Sequence, residues 1–197
     1  MTADSETIAV YNAKAAEYDA LVNSEGPGER LAAFIAGFPM GARVLDFGCG
    51  TGSAAACMRD HGLQVTALDA SAEMVALAKR RFGLEVTLGT FDDLTASDEY
   101  DGIWASFSLL HAPREDMPRY LDAIQQALRP NGRFNIGLKT GTGEQRDALG
   151  RRYTYYTETE LRGLLANAGF TITHIHTGAG PGLDGVIAPW IMSDCHA

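Results

Sequence analysis

Short apolar runs alternate with longer amphipathic stretches through the middle of the chain. Residues 43–46, 64–69, 84–88, 101–105 and 133–138 are runs of strand length, and residues 52–61, 72–82 and 117–128 carry apolar positions at helical spacing. Strand and helix in turn predict a parallel sheet with crossover helices, an α/β fold of the doubly wound kind. The helix at 117–128 is expected to stop at Arg129-Pro130-Asn131-Gly132, where proline and glycine turn the chain.

The ends of the chain follow other patterns. Two helical stretches, 6–22 and 28–36, flank an Asn23-Ser24-Glu25-Gly26-Pro27 break and read as an N-terminal helical cap. A polar, glycine-rich loop is expected at 139–151. It leads to a helix at 157–168 with a Thr157 cap and early glutamates, ended by Gly169. Residues 170–176 and 186–192 read as strands across a linker, 177–185, with four glycines and a proline. The expectation is one domain, residues 1–197, with a cap at 1–38 and a catalytic core at 42–197. Its sheet has seven mostly parallel strands and an antiparallel edge strand from the final hairpin.

Composition narrows the function classes. Lys and Arg number 16 against 25 Asp and Glu, a net charge of −9, which disfavours a phosphate backbone or an anionic membrane as partner. No apolar stretch reaches the roughly 20 residues of a membrane span, and the polar start, residues 1–6, lacks the features of a secretory signal. Three scattered cysteines, Cys49, Cys57 and Cys195, fit a reducing compartment, so a cytoplasmic protein is expected. The pair His174 and His176 shares one strand face but finds no clustered ligands, so no metal is expected. The sequence carries no marker of oligomeric state.

The strongest chemical signal is the run Val44-Leu45-Asp46-Phe47-Gly48-Cys49-Gly50-Thr51-Gly52-Ser53, a strand entering a glycine-rich turn before a helix. Glycines there let a ligand lie against backbone amides at the helix N-terminus. A dinucleotide fingerprint would want glycine at Ser53, and a carboxylate at Asp46 would oppose a pyrophosphate. Asp46 suits a cofactor with an ammonium group, as adenosylmethionine has. Asp69 ends the second strand where a carboxylate can accept from both hydroxyls of a ribose; its alternative role is a helix cap, which Ser71 could equally fill.

With these motifs the sequence resembles the class I S-adenosylmethionine-dependent methyltransferase superfamily, in particular the small bacterial methyltransferase domains related to those of quinone biosynthesis. The stretches that carry the likeness are 44–54, 67–74, 91–94, 100–111, 128–138 and 155–170. The resemblance implies the Rossmann-like methyltransferase fold, S-adenosyl-L-methionine as cofactor and S-adenosyl-L-homocysteine as product. It places Gly48, Cys49 and Gly50 against the methionine moiety, Asp69 with Ala70 at the ribose and Met74 on the adenine. Many relatives hold the adenine edge with an Asp where this chain has Thr90, leaving Thr90, Asp92 or the Phe91 backbone for that contact. Ser106, after the fourth strand, should lie near the sulfonium. Tyr11 and Tyr18, seven apart in the cap, can cover the site, or simply pack the helix.

Methyl transfer needs an acceptor held in line with the methyl group at roughly 3–3.5 Å. Where the acceptor must lose a proton, His111 is the candidate general base; its other role is to brace the loop. Lys139, Arg151, Arg152, Tyr153 and Tyr155 are candidates to hold a small anionic or aromatic acceptor, the alternative being solvated arginines and core tyrosines. The expected function is methyl transfer to a small-molecule acceptor. Its competitors are an adenosylmethionine-binding protein without catalysis and an NAD-dependent oxidoreductase.

Overall fold

The computed structural model describes residues 3–22 and 28–197, so the break expected at 23–27 lies outside the described residues. Helices α1 (Ser5–Val22) and α2 (Glu29–Ala36) come first. Then follow β1 (Arg43–Phe47), α3 (Ser53–Asp60), β2 (Gln64–Asp69), α4 (Ala72–Phe82), β3 (Thr87–Leu88), β4 (Tyr100–Ser106) and α5 (Met117–Ala127). The remainder comprises β5 (Leu128–Lys139), β6 (Glu144–Arg146), β7 (Arg152–Thr154), α6 (Glu158–Asn167), β8 (Thr171–Pro181) and β9 (Ile187–His196).

Seven strands form the main sheet in the order β3-β2-β1-β4-β5-β9-β8. Strands β1 to β5 pair in parallel, and β9 runs antiparallel to both β5 and β8 at the far side of the sheet. Both faces are covered, which is why the strands read as continuous apolar runs. Val44 packs with Leu31, Phe34 and Met58 under α2 and α3, while its neighbours Leu45 and Phe47 join Leu121, Ile124, Leu161 and Leu165 of α5 and α6. Trp104 and Ile103 divide between the two faces in the same way. Each such side chain contributes about 1.5–3 kcal/mol of burial.

Local signals set the helix ends near the site. Ser71 caps α4 by accepting from the Met74 amide, and Gly83 closes it with φ 64°. Thr157 and Glu160 form a reciprocal cap on α6.

Several boundaries differ from the sequence expectation, and the strand expected at 84–88 is only Thr87–Leu88. Helix α5 ends at Ala127 and the strand begins at once: Leu128 pairs with Tyr100, the register jumps, and Arg133 faces Gly102. The expected turn is absorbed in that bulge, with Asn131 at φ 63°. The final strands extend through most of the expected linker, because Gly178 leaves room for the Trp190 ring, which a Cβ would approach to 2.3 Å. The loop at 139–151 contains β6, which pairs with β7. Its Glu-Gln-Arg sequence is exposed and carries no apolar alternation.

Candidate cofactor and acceptor site

The glycine turn clasps the carboxyl ends of β1 and β2. Gly48 and Cys49 amides both donate to the Leu68 carbonyl, at 2.9 and 3.0 Å. Gly48 has φ 81°, and a Cβ on it would sit 2.3 Å from the Ser108 Cβ, so both backbone and space require glycine. Ser108 in turn donates its hydroxyl to the Phe47 carbonyl at 2.6 Å, tying the loop after β4 to this turn.

Asp69 is fixed by the same turn: Oδ2 accepts from the Gly50 amide at 2.7 Å and Oδ1 from the Ser71 amide at 2.9 Å. Burial raises its pKa, opposed by these amides and that of Ala70. Each oxygen keeps a further lone pair for a donor such as a ribose hydroxyl. Ser71, not Asp69, caps α4, so the alternative assignment for Asp69 falls away.

Asp46 is 3% exposed, borders the cavity described below, and its Oδ2 has no hydrogen-bond partner among the described residues. Burial, then the charge of Asp69, pushes its pKa up to about 7. A buried carboxylate oxygen without a partner is costly. An ammonium group beside it would supply both the missing donor and the missing charge, so the site fits the methionine end of adenosylmethionine.

These residues line one cavity of about 660 Å³. Ala70, Met74, Thr90 and Phe91 border it, as do Tyr11, Tyr18, Ser106 and His111. Phe91 packs between Phe47 and Tyr120, tilted to the first and edge-to-face with the second, with centroids 5.0 and 5.4 Å away. The Thr90 hydroxyl is spent on the turn at 91–93, accepting from Asp92 N and donating to Asp93. Asp92 is a correction: its carboxylate takes Arg119 at 2.6 Å and the Tyr120 hydroxyl at 3.1 Å, and it is not part of the cavity wall.

Tyr11 and Tyr18 meet edge-to-face at 5.5 Å, despite a kink in α1 at Lys14. The Tyr18 ring lies over the glycine turn, 3.5 Å from where a Gly50 Cβ would stand. Tyr11 is latched at its hydroxyl. His111 Nδ1 lies 2.6 Å from the Arg152 carbonyl and must donate, so Nε2 accepts from the Tyr11 hydroxyl at 2.8 Å. Burial, partly opposed by the Arg152 carbonyl, pushes the His111 pKa down to about 4. Both imidazole nitrogens are therefore committed.

The expected acceptor residues lie behind this wall. Arg151 is 1% exposed, paired with Asp147 through Nε and Nη2 at 2.9 and 2.6 Å, and donates from Nη1 to Tyr11 at 3.1 Å. The Asp147 turn draws it inward by accepting its amide as well. Lys139 sits 4.3 Å over the buried Tyr153 ring. Arg152 uses its backbone, to Thr7 and His111, and Tyr155 accepts from Gln145. None of the five borders the cavity. Three of them brace Tyr11 and His111 instead: Arg151 through its guanidinium, Arg152 through its carbonyl and Tyr153 through its ring, 4.8 Å from that of His111.

Several wall residues were not among the sequence candidates. Leu31, Trp104, Phe107 and Met192 come from four separated parts of the chain, and Asn12 reaches from the cap to accept from Ser71 Oγ at 2.7 Å. Phe107 adopts φ 56°, a conformation that favours glycine; nothing in a lone sequence signals it.

Fold and site together define a transferase that binds an adenosine cofactor with a charged amino-acid end. Residues 44–132 match the model of a methyltransferase domain family. An uncharacterized methyltransferase of Staphylococcus carnosus is 30% identical over 66% of this chain and 67% of its own length. A ubiquinone/menaquinone biosynthesis C-methyltransferase of Rubrivivax gelatinosus is 32% identical over 64% of this chain and 52% of that protein. Several other curated relatives are matched over only 36–54% of their length. Among solved structures, 1,6-didemethyltoxoflavin-N1-methyltransferase of Burkholderia thailandensis, with bound 1,6-didemethyltoxoflavin and S-adenosylhomocysteine, superposes with TM-score 0.74. It is 25% identical, with 100% of this chain and 91% of that one covered. The chain belongs to the S-adenosylmethionine-dependent methyltransferase family. It is an enzyme whose methyl donor is S-adenosylmethionine.

Proposed function

We propose that this methyltransferase acts on a small-molecule acceptor held in the same cavity as the cofactor, with residues 1–197 working as one domain. The observation that carries this reading is the continuity of the 660 Å³ cavity from the glycine turn to an apolar wall of Leu31, Trp104, Phe107 and Met192. Its size suits small ligands, whose sites run about 300–1,000 Å³. The Burkholderia relative, which binds a small heterocycle beside S-adenosylhomocysteine, supports the same reading.

In this proposal Asp46 takes the ammonium group and Asp69 with Ala70 the ribose. Met74 and Phe91 flank the adenine, Gly48, Cys49 and Gly50 lie along the methionine chain, and Ser106 stands near the sulfur. Bound adenosylmethionine would supply an electrophilic methyl group on its sulfonium. Tyr11 and Tyr18 exclude water and hold the acceptor in line. His111 is assigned a positioning role, because its Nε2 lone pair already accepts from Tyr11.

Titration of S-adenosylmethionine, S-adenosylhomocysteine and NAD into the protein and into Asp69→Ala, followed by a screen of small acceptors with labelled methyl donor, tests this. Micromolar binding of the first two ligands, lost in the variant, with label transferred to a small molecule is the expected result. Label incorporated only into protein would overturn it.

A further inference from the structure

We propose that the acceptor is an aromatic compound carrying a carboxylate, and that Arg30 holds that carboxylate; this rests on the acceptor sharing the cofactor cavity. Two arginines border the cavity, Arg30 and Arg81. Arg81 is paired with Asp19. Among the described residues the one carboxylate that Arg30 pairs with is the exposed Glu29, 3.7 Å away. Arg30 is nonetheless a positioned cation. Its Nη1 lies 2.8 and 2.9 Å from the two nitrogens of His176, whose Nε2 lies 3.0 Å from Asp194 Oδ2. Asp194 is anchored in the sheet by Asn135 at 2.6 Å. Beside Arg30 the wall is apolar and partly aromatic, formed by Leu31, Trp104, Phe107 and Met192. A planar ring fits those faces, and a charged fork at their edge matches a carboxylate. On a chain of net charge −9, a cation kept at the rim by a relay into the sheet marks where an anion is welcome.

The test uses 2-naphthoate and 2-naphthamide as probes, titrated calorimetrically into protein saturated with S-adenosylhomocysteine. Naphthoate should bind at least about tenfold more tightly than naphthamide, Arg30→Gln should abolish that preference, and Arg30→Lys should restore part of it. Affinity for S-adenosylhomocysteine should be unchanged in both variants. Equal binding of the two probes by the wild-type protein, binding of neither, or a preference that survives Arg30→Gln overturns the proposal. Failure of S-adenosylhomocysteine itself to bind would instead sink the placement of the cofactor.

A second inference stands on a different observation. We infer that Asp116 reads the amino group of the adenine, the task left open by Thr90. Asp116 is 8% exposed, borders the cavity, and its Oδ2 has no hydrogen-bond partner among the described residues, while Oδ1 is held by Arg119 at 3.2 Å. It begins α5 one turn before Tyr120, whose ring packs on Phe91. A buried carboxylate oxygen on a residue of the cavity wall wants a donor, and the adenine edge offers an N–H. S-adenosylhomocysteine and S-inosylhomocysteine, in which a carbonyl replaces that amino group, separate the outcomes. Wild-type protein should favour the adenosine form by about tenfold or more, and Asp116→Asn, which adds a donor, should erase or reverse the preference. An unchanged ratio in the variant, or no preference in the wild-type protein, overturns the inference.

Discussion

Two walls of the same cavity are held by different means. Around the glycine turn, positions 46–53 and 68–71 are locked by backbone amides: Gly48 and Cys49 to Leu68, Gly50 and Ser71 to Asp69. Across from it, Leu31, Trp104, Phe107 and Met192 meet through side-chain packing alone, drawn from α2, β4, the loop after it and β9. A wall made of backbone tolerates almost no change, because the ligand lies against the chain itself. A wall made of side chains can be recut without disturbing the sheet, so under the proposed placement acceptor choice can vary where the cofactor cannot.

The sharpest way to break this contrast is to change one residue on each wall. Gly48→Ala forces a Cβ into Ser108 at a left-handed position and should cost about 3 kcal/mol or more, with loss of cofactor binding. Met192→Leu, which conserves volume, should cost under about 1.5 kcal/mol and leave cofactor affinity intact. Urea midpoints and S-adenosylhomocysteine titrations measure both. Comparable losses in the two variants would erase the distinction.

Asp46 exposes a cost within the backbone wall. Its folded pKa of about 7 lies above the ordinary 3.8, so the proton it binds stabilises the fold below pH 3.8, and that contribution is lost as the pH rises through 7. Above pH 7 the folded protein carries a buried, unpaired charge. Asp46→Asn should therefore raise the stability of the ligand-free protein at pH 8 by about 2 kcal/mol while weakening S-adenosylhomocysteine at least about tenfold. Thermal melts with and without the ligand should cross. Lower ligand-free stability in the variant would mean that Asp46 is already compensated.

The latch on the cap gives an effect of opposite sign. Unfolded His111 takes up a proton near pH 6.5, whereas folded His111 waits until about 4. The stability it lends is complete above pH 6.5 and drains away as the pH falls to about 4, up to about 3 kcal/mol. His111→Gln should lose about 2 kcal/mol less than the parent on acidification from pH 7.5 to 4.5, whatever its stability at neutral pH. Parallel urea curves across that range would place the acid sensitivity elsewhere.

The same contrast explains how much could be read beforehand. Strand and helix order was legible because burial on both faces leaves continuous apolar runs such as 43–46, and the glycine turn because its φ angles admit few residue types. Asp69 stood out for the same reason, ending a strand at a fixed distance from that turn. The apolar wall was not legible: Met192 and Leu31 are ordinary core residues until β9 and α2 bring them together. Arg151 misled because a cation in a polar loop gives no sign that Asp147, four residues earlier, folds it inward. The β6–β7 hairpin that performs this has no apolar alternation to reveal it.

The smallest expected effect falls at Asp92, where the sequence kept open a contact that the geometry directs elsewhere. Its carboxylate holds Arg119 and Tyr120 on the outer side of the turn at 91–93. Arg119 is half exposed and returns to water when the carboxylate is removed, while the buried Tyr120 loses one hydroxyl partner, so Asp92→Ala should cost about 1 kcal/mol. Phe91 keeps its place between Phe47 and Tyr120 through ring packing that this substitution leaves alone. Affinity for S-adenosylhomocysteine should then change by less than about threefold, a free-energy difference under about 0.7 kcal/mol. A loss of tenfold or more would show that the turn depends on that carboxylate for its shape, and would bring the nucleoside wall closer to the side-chain-built wall opposite it than the backbone bonds imply.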